Sequence, residues 1–158
     1  MSALEKKAWT VFSRWIRDRD TVEDLYIIDS DGYSIKCGHC FTCGAVTPTE
    51  TKLSGHAGHF CKRAIKNIKF HERNVHLQCQ RCNLYLDGNE GWYAINLDKR
   101  YGPGTAEWLK SLEADYRRDG FKITRDYLEG IIEKYGRYNE SDKGVDVSRL
   151  LEDIPKTR

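Results

Sequence analysis

Two closely spaced cysteine pairs constrain this chain more than any other feature of its sequence. The pairs are CFTC, with Cys40 and Cys43, and CQRC, with Cys79 and Cys82, and 35 residues separate them. A Cys-x2-Cys pair that is repeated once has the spacing of a four-thiolate zinc site. The sequence therefore predicts that a structural Zn2+ ion joins these two segments.

The composition fits a small domain that needs such a metal ion. The chain has 158 residues, of which 32% are charged, and its mean hydropathy is -0.69, so the predicted core is thin. No apolar run is long enough to span a bilayer, and charges interrupt the N-terminal segment every few residues, unlike a signal peptide. We expect an intracellular protein without a membrane partner, whose cysteines bind metal rather than form disulfides.

A third cysteine makes the first pair ambiguous. The stretch CGHCFTC allows either Cys37 with Cys40 or Cys40 with Cys43. We favour the second pair because Gly44 follows it, and a glycine there lets the chain turn tightly and point backbone N–H groups at sulfur. The remaining candidates, Cys37, Cys61 and His39, are weaker ligand candidates.

The N-terminal region, residues 1–36, reads as a helix followed by a hairpin. Ser2 caps a predicted helix over residues 2–20, with Glu5 as its capping-box partner. The apolar face of this helix is predicted to contain Leu4, Ala8, Val11, Phe12, Trp15 and Ile16. Its polar face carries basic residues that are either solvated or in contact with a phosphate backbone, namely Lys6, Lys7, Arg14, Arg17 and Arg19. A turn at residues 29–32 predicts the hairpin that leads into the first cysteine pair.

The C-terminal part is predicted to be a helical scaffold with a polar tail. Two helices are expected within residues 102–136, one on each side of Gly120, and both are expected to pack on the N-terminal helix. Aromatic residues at helical spacing, Trp108, Tyr116 and Tyr127, are read as core residues. Residues 137–158 are polar, with one short helix at residues 147–152.

The segment between the cysteine pairs carries the residue types of a reactive site. His56 and His59 lie in SGHAGHF, Asn74 and His76 follow, and Asn83 comes directly after the second pair. From residue 60 to residue 81 there are six basic residues against one acidic residue, which indicates either a phosphate-binding face or a solvated loop. Two zinc knuckles, paired strands and a short helix within residues 37–101 predict an α+β fold with a treble-clef, or ββα-metal, core.

These motifs resemble known nucleases. The order Cys-x2-Cys, histidine loop, Asn and Cys-x2-Cys-Asn is similar to the HNH endonucleases that contain a four-cysteine zinc. More narrowly, FSRWIRDRD, CFTCG, AGHF, KFHERNVHLQCQRCN, LDGN and YAINLDKRYG resemble the lambdoid phage Rap, or NinG, family of recombination endonucleases over residues 8–109. The resemblance implies a metal-dependent, structure-selective DNA endonuclease that hydrolyses phosphodiester bonds in branched intermediates such as Holliday junctions and D-loops.

The resemblance also assigns roles to single residues. His59 matches the general base, and Asn74 matches the central asparagine that orients the histidine loop through backbone hydrogen bonds. Asn83 falls where these enzymes place a ligand of the catalytic cation, and Asp87 falls near a second such position.

Two assignments stay open within that resemblance. Many HNH enzymes have a metal-binding Asp or His directly before the general base, but this chain has Gly58 there. His56 is the nearest residue able to replace that ligand. For His76 three roles remain: a cation ligand, a contact to the scissile phosphate, or a buttress of the zinc knuckle.

The proposed chemistry explains these residue types. A neutral imidazole, near its unperturbed pKa of about 6.5, is the expected base at physiological pH. An exchangeable Mg2+ or Mn2+ ion is expected to neutralise charge on the phosphate, while Zn2+ builds the site. The DNA backbone is expected to be held, without base reading, by Arg63, Lys66, Lys69, Arg73 and Arg81.

Two other functions agree with the same residues. One is an HNH nuclease with another task, such as nicking during phage DNA packaging or cutting invading DNA. The other is a zinc-stapled DNA-binding module without catalysis, in which His56, His59 and Asn83 are incidental. DNA is the expected partner in every case. A homodimer is favoured by symmetric cleavage of a four-way junction, and phage or host recombination proteins are further candidate partners.

Overall fold

The chain forms an α+β fold, as its sequence predicts. The computed structural model describes residues 1–50 and 55–137. Its elements in chain order are α1 (Ala3–Arg19), β1 (Thr21–Ile28), β2 (Ser34–His39), β3 (Val46–Pro48), β4 (His56–His59), β5 (Val75–Gln78), α2 (Glu90–Tyr101), α3 (Thr105–Asp119) and α4 (Arg125–Gly136). A 3-10 turn at Lys66–Ile68 and one π-helical turn at Arg81–Tyr85 flank β5. The predicted helix at residues 147–152 lies outside the described residues.

Helix α1 begins as predicted, but its capping box is only half formed. The Ser2 hydroxyl accepts a hydrogen bond from the backbone N–H of Glu5 at 3.1 Å. The Glu5 carboxylate instead forms an ion pair with Lys69, which the fold brings against the first turn of α1. The second half of the box is therefore replaced by a tertiary contact.

The C-terminal end of α1 is fastened to β5 by a buried ion pair. The Arg19 side chain is 4% exposed and donates two hydrogen bonds to the Asp20 carboxylate, at 2.7 and 2.9 Å. It also donates to the backbone carbonyls of Glu72 and Val75, both at 2.9 Å, while Asp20 accepts from the N–H of Leu77. Arg19 was predicted to be solvated or phosphate-bound, and both readings are wrong because these acceptors lie more than fifty residues away in the sequence.

The strands form two separate sheets. The predicted hairpin is confirmed: β1 and β2 pair antiparallel around residues 29–32, and β3 adds to the free edge of β2. Strands β4 and β5 form a second antiparallel pair, in register from His56 opposite Gln78 to His59 opposite Val75. Since side chains alternate along a strand, His56 and His59 point to opposite faces of β4. The chain then runs from β5 through the π-helical turn into α2.

Two hydrophobic clusters hold these elements, and the β4–β5 pair joins them. The first cluster packs α1 against α4 and includes Phe70 and Val75 of the central region. The second packs α2 against α3 and the segment after β4, and includes Phe60. Of the two C-terminal helices that the structure describes, α4 packs on α1, whereas the buried face of α3 meets α2, which corrects the packing expected of α3.

The three aromatic side chains that were read as core do pack in these clusters. Trp108 and Tyr116 lie against the second cluster, and Tyr127 lies against the first. None of the helices in the described part of the chain combines the length and the apolar character that crossing a bilayer requires.

Candidate functional site

The four predicted cysteines converge on one point. The sulfur atoms of Cys40, Cys43, Cys79 and Cys82 all lie within 4.8 Å of one another, and the Cys43 and Cys79 sulfurs are 3.7 Å apart. Four sulfurs held by tetrahedral metal bonds of about 2.3 Å would lie roughly 3.8 Å apart. The choice of Cys40 with Cys43 as the first pair is therefore confirmed.

The weaker ligand candidates lie elsewhere. The Cys37 thiol is buried and donates to the carbonyl of Ile35, and the buried Cys61 thiol donates to the carbonyl of Leu109. His39 is exposed, and its Nδ1 lies 3.1 Å from the Gly44 carbonyl oxygen. Gly44 has φ of +77°, a conformation that favours glycine, and its N–H bonds back to the Cys40 carbonyl to close the knuckle.

The sulfurs of Cys40, Cys79 and Cys82 have hydrogen-bond donors nearby, although burial raises the pKa of Cys43 and of Cys79. The Cys82 N–H lies 3.5 Å from the Cys79 sulfur, and the Asn89 side-chain amide lies 3.5 Å from the Cys82 sulfur. Burial would raise the pKa of Cys40, but hydrogen bonds from the Thr42 hydroxyl and from nearby backbone N–H groups outweigh it and lower this pKa to about 6. The cluster thus fits a metal ion that prefers four sulfur ligands.

A cleft of about 220 Å³ opens next to this cluster. Four parts of the chain line it: α1, β4, the segment after β4, and the turns after Cys82. The lining residues are Trp9, Ala57, His59, Lys62, Arg63, Asn83, Asp87 and Gly88. Three residues predicted for one site, His59, Asn83 and Asp87, therefore lie around the same cleft.

His59 is held in one orientation with one free nitrogen. Its ring stacks on Trp9, with the centroids 5.0 Å apart and the planes at 23°. Its Nε2 lies 2.9 Å from the Lys69 carbonyl oxygen. Because a carbonyl can only accept a hydrogen bond, Nε2 carries the hydrogen, and Nδ1 keeps a lone pair in the neutral ring.

The pKa of His59 differs from the expected value near 6.5. Burial is the main cause that lowers this pKa, and the charges of Arg63 and Lys69 act in the same direction. The bond to the Lys69 carbonyl opposes them, and the resulting pKa is about 4. His59 is consequently neutral at physiological pH, as a general base must be.

The side chain of Asn74 hydrogen-bonds to three backbone groups. It is fully buried, its Oδ1 accepts from the N–H of Cys61 at 2.7 Å, and its Nδ2 donates to the carbonyls of Cys61 and Ile68, both at 3.1 Å. Its own carbonyl accepts from the N–H of Phe60. Asn74 thus ties together both ends of the segment that follows His59.

The catalytic assignment of His76 needs correction. His76 is fully buried, its ring nitrogens lie 3.0 and 2.7 Å from the hydroxyls of Tyr93 and Tyr101, and it stacks on Phe41 at 3.9 Å. It pairs with Gly58 across the strands and therefore points away from His59. Of the three roles considered, structural support of the first cysteine pair is the one that fits, since His76 stacks on Phe41, which lies between Cys40 and Cys43.

The other two cation candidates differ in position. His56 points to the face of β4 opposite to His59, and burial together with the nearby charge of Arg17 lowers its pKa. Asp87 lies at the cleft with φ of +48°, and its exposed carboxylate pairs with the ammonium of Lys62. Asp87 is therefore better placed than His56 to bind the same cation as Asn83.

The predicted DNA-binding residues do not form one surface. Arg63 lines the cleft, with its guanidinium 5.7 Å from the centroid of the Trp9 ring, and Lys66 and Arg81 are exposed. Lys69 is 4% exposed and paired with Glu5, so its predicted phosphate contact is corrected. Arg73 is half-buried over the rings of Tyr101 and Trp108.

Four lining residues, Trp9, Ala57, Lys62 and Gly88, were missed at the level of the sequence. Trp9 falls outside the predicted apolar face of α1, Lys62 was only one charge in a basic run, and Gly88 had no signal. The sequence distances of Trp9 and Gly88 from His59 hide their proximity. An aromatic residue one position off a helix stripe is the one signal that could have pointed to Trp9.

These features define a small α+β protein with a four-cysteine cluster that could hold a metal ion, and with a basic cleft that contains a histidine. The family model described as Bacteriophage Lambda NinG protein matches residues 1–140, so the chain belongs to the NinG family. It is 28% identical over 121 residues to Protein ninG of Escherichia phage lambda, covering 76% of this chain and 54% of that protein. It is 28% identical over 116 residues to Protein ninG of Salmonella phage P22, covering 73% and 52%.

The chain spans about half the length of the curated relatives that it matches. A third relative, Protein ninG of Escherichia phage 933W, is also 28% identical, over 76% of this chain and 55% of that protein. No solved structure matches this chain.

Proposed function

We propose that this chain is a metal-dependent DNA endonuclease of the HNH type that cleaves branched recombination intermediates such as Holliday junctions and D-loops. The observation that carries the proposal is the cleft in which the His59 imidazole and the Asn83 amide lie beside Lys62 and Arg63. A base, an oxygen ligand and positive charge in one cleft are the groups that phosphodiester hydrolysis requires.

His59 is the general base in this proposal. Its Nδ1 lone pair takes the proton from the attacking water, because Nε2 is already engaged with the Lys69 carbonyl. That same bond stabilises the imidazolium that forms, and the Trp9 ring restricts rotation of the imidazole. Asn74 is a positioning residue, which holds the segment after His59 through its bonds to Cys61 and Ile68.

The exchangeable cation of this proposal is Mg2+ or Mn2+, which when bound neutralises charge on the phosphate and on the leaving oxygen. The amide of Asn83 and the carboxylate of Asp87 both line the cleft, and such oxygens are the ligands that these cations prefer. Zn2+ is the metal proposed for the four cysteines. The order β4, β5, α2 beside that cluster supports a treble-clef, or ββα-metal, core.

The charges around the cleft suit a substrate that is recognised by shape. Lys62 and Arg63 line the cleft. Lys66 and Arg81 are exposed, and each lies within three residues of a lining residue in the sequence. Contacts from Lys and Arg to phosphates fix the position of DNA without reading its bases. An enzyme that selects branch points needs this kind of contact, since the deformability of the junction supplies the selectivity.

The test is cleavage of labelled DNA by the wild type, His59→Ala and a matched histidine control. The substrates are a four-way junction, a D-loop, a flap and a linear duplex, each with Mg2+, Mn2+ or EDTA. His71→Ala is the control, because His71 is also half-buried with a pKa lowered to about 4 by burial, yet packs against Trp108 rather than in the cleft. We expect His59→Ala to lose about 100-fold or more in rate and His71→Ala to cut like the wild type.

The outcomes separate the competing functions. If the wild type and His59→Ala cut at equal rates, His59 is not the base. DNA binding without cleavage under any cation would support the non-catalytic module, and equal cleavage of linear and branched DNA would support an HNH nuclease with another task.

A further inference from the structure

Gly58, the residue before His59, has no room for a side chain. A Cβ atom built on Gly58 would lie 2.0 Å from Oε1 of Gln78 and 3.0 Å from Oδ1 of Asn83. Two side-chain oxygens therefore occupy the region that a side chain at position 58 would fill. Since their distances to one point are 2.0 and 3.0 Å, these oxygens are no more than 5.0 Å apart.

The orientation of the Gln78 amide is determined by its neighbours. Gln78 is fully buried, and its Nε2 donates to the Gly88 carbonyl at 2.8 Å and to the Thr42 hydroxyl at 3.2 Å. Turning the amide over would place Oε1 against the Gly88 carbonyl, with two acceptors facing each other. The side-chain oxygen of Gln78 must therefore point toward Gly58 and Asn83.

That oxygen has no hydrogen-bond donor among the described residues. Oε1 of Gln78 is a buried side-chain acceptor without a partner. Buried polar atoms almost always have a partner, so an orphaned acceptor that faces a second amide oxygen indicates a place for a positive group. Asn83 lines the cleft beside His59 while its Oδ1 reaches the Gly58 side of β4, where Gln78 lies, so a cation between these oxygens would border the cleft from that side.

We propose that Gln78 Oε1 and Asn83 Oδ1 together are protein ligands of a divalent oxygen-seeking cation, Mg2+ or Mn2+, at the wall of the cleft. This inference rests on the proposed nuclease for its biological role, and the choice of ligands rests on the orphaned Gln78 oxygen and its closeness to Asn83 Oδ1. Amide carbonyl oxygens are ordinary ligands of such hard cations, which keep water in their remaining positions. Gln78 thereby supplies from β5 the ligand that glycine at position 58 does not offer.

The four-cysteine cluster helps to orient this ligand. The Thr42 hydroxyl accepts a hydrogen bond from Gln78 Nε2 and lies 3.2 Å from the Cys40 sulfur. Because the hydroxyl oxygen accepts from Gln78, its own hydrogen is free to be donated to the Cys40 thiolate. A continuous chain of contacts thus runs from the structural metal to the Gln78 amide, and Thr42 is a positioning residue within it.

The test is Mn2+ binding by the zinc-loaded full chain, followed by electron paramagnetic resonance of free Mn2+ without DNA. Gln78→Met keeps the length of the side chain and removes the amide, and we expect it to weaken Mn2+ binding by about tenfold or more. Asn67→Leu is the matched control, because Asn67 also has a buried, unpartnered amide oxygen but lies against Leu112, away from the cleft. We expect this control to bind Mn2+ like the wild type.

A double variant tests the same ligand position if Gln78→Met does not fold. In Gly58→Asp with Gln78→Ala, the shorter side chain at position 78 makes room for a carboxylate from position 58, and we expect Mn2+ binding to return. Thr42→Val, measured with the zinc content of the variant matched to the wild type, should weaken Mn2+ binding because it removes the hydroxyl that accepts from the Gln78 amide.

The results distinguish this inference from the proposed nuclease. Equal Mn2+ binding by a folded Gln78→Met variant and the wild type, or no binding by the wild type, would overturn the ligand assignment. DNA cleavage that persists unchanged in Gln78→Met leaves the nuclease standing without this ligand. Mn2+ binding that depends on Gln78, in a chain that cuts no DNA, leaves the cation site standing without the nuclease.

Discussion

The fully buried amide of Asn74 offers the sharpest test of how the site is held together. Replacing Asn74 with alanine removes the partner of three backbone groups at once: the N–H and the carbonyl of Cys61, and the carbonyl of Ile68. Asn74 is 0% exposed, so water does not reach these groups in the folded chain without a rearrangement. The variant therefore carries the desolvation cost of groups that have lost their partners.

The expected cost is large for a single side chain. A buried polar group that loses its partner costs about 1–3 kcal/mol, and since three neighbouring groups relax together we expect about 3–5 kcal/mol in total. That is a large fraction of the roughly 5–15 kcal/mol that stabilises an ordinary domain. With a urea dependence of about 2 kcal/mol per molar, the midpoint of unfolding should fall by about 2 M.

The assay is urea unfolding with saturating zinc, followed by the fluorescence of the four tryptophans. Zinc must be saturating because any ligand of the folded state adds to its apparent stability. Asn67→Ala is the matched control: the Asn67 amide makes one hydrogen bond, to the Leu112 carbonyl, and should cost about 1 kcal/mol. If Asn74→Ala costs no more than Asn67→Ala, the three bonds do not hold the histidine segment and the reasoning fails.

Asn74→Asp adds a dependence on pH to the same test. The new carboxyl keeps the acceptor for the Cys61 N–H but faces the carbonyls of Cys61 and Ile68, so its pKa in the folded chain should rise above the unfolded value of about 3.9. A raised folded pKa means that the folded state binds the proton more tightly. The deficit in stability relative to the wild type should therefore shrink as the pH falls from 7 toward 4.

Two further predictions concern the metal cluster and the histidines. Metal analysis of the purified chain should find one tightly bound zinc ion per molecule. We expect Cys79→Ser to lose this ion and Cys37→Ser to retain it. Loss of zinc from both variants would contradict the ligand set. Burial lowers the pKa of His59 and of His71 to about 4, and it lowers the pKa of His76 well below the unfolded value of about 6.5. Unfolding should thus take up about two to three protons near pH 5, and the free energy of unfolding should fall between pH 6.5 and pH 4, whereas a flat profile would refute these pKa values.

Features that depend on short-range pattern could be predicted well. The cap at Ser2, the turn at residues 29–32 and the paired cysteines each involve residues only a few positions apart. Backbone geometry over such distances is set by local chemistry, and metal ligands at Cys-x2-Cys spacing need only one turn of chain to converge. The sequence also placed His59 and Asn83 in one predicted site, and the structure brings both to the same cleft.

Assignments that depend on which face a side chain occupies were harder. His76 and His59 belong to paired strands, and only the register, with His76 opposite Gly58, shows that one points into the core and the other toward the cleft. A shift of one residue in that register would exchange their positions, because side chains alternate along a strand. Local sequence carries no such information.

The sequence by itself determined the α+β class, the four-cysteine cluster and the histidine segment between its halves. Only the tertiary structure decided that Arg19 is buried against the carbonyls of Glu72 and Val75, that Lys69 pairs with Glu5, that Trp9 covers His59, and that Gln78 fills the space beside Gly58. The physical reason is the same in each case. Burial, hydrogen-bond partners and pKa are properties of neighbours in space, and these neighbours come from segments that are twenty to more than sixty residues apart in the chain.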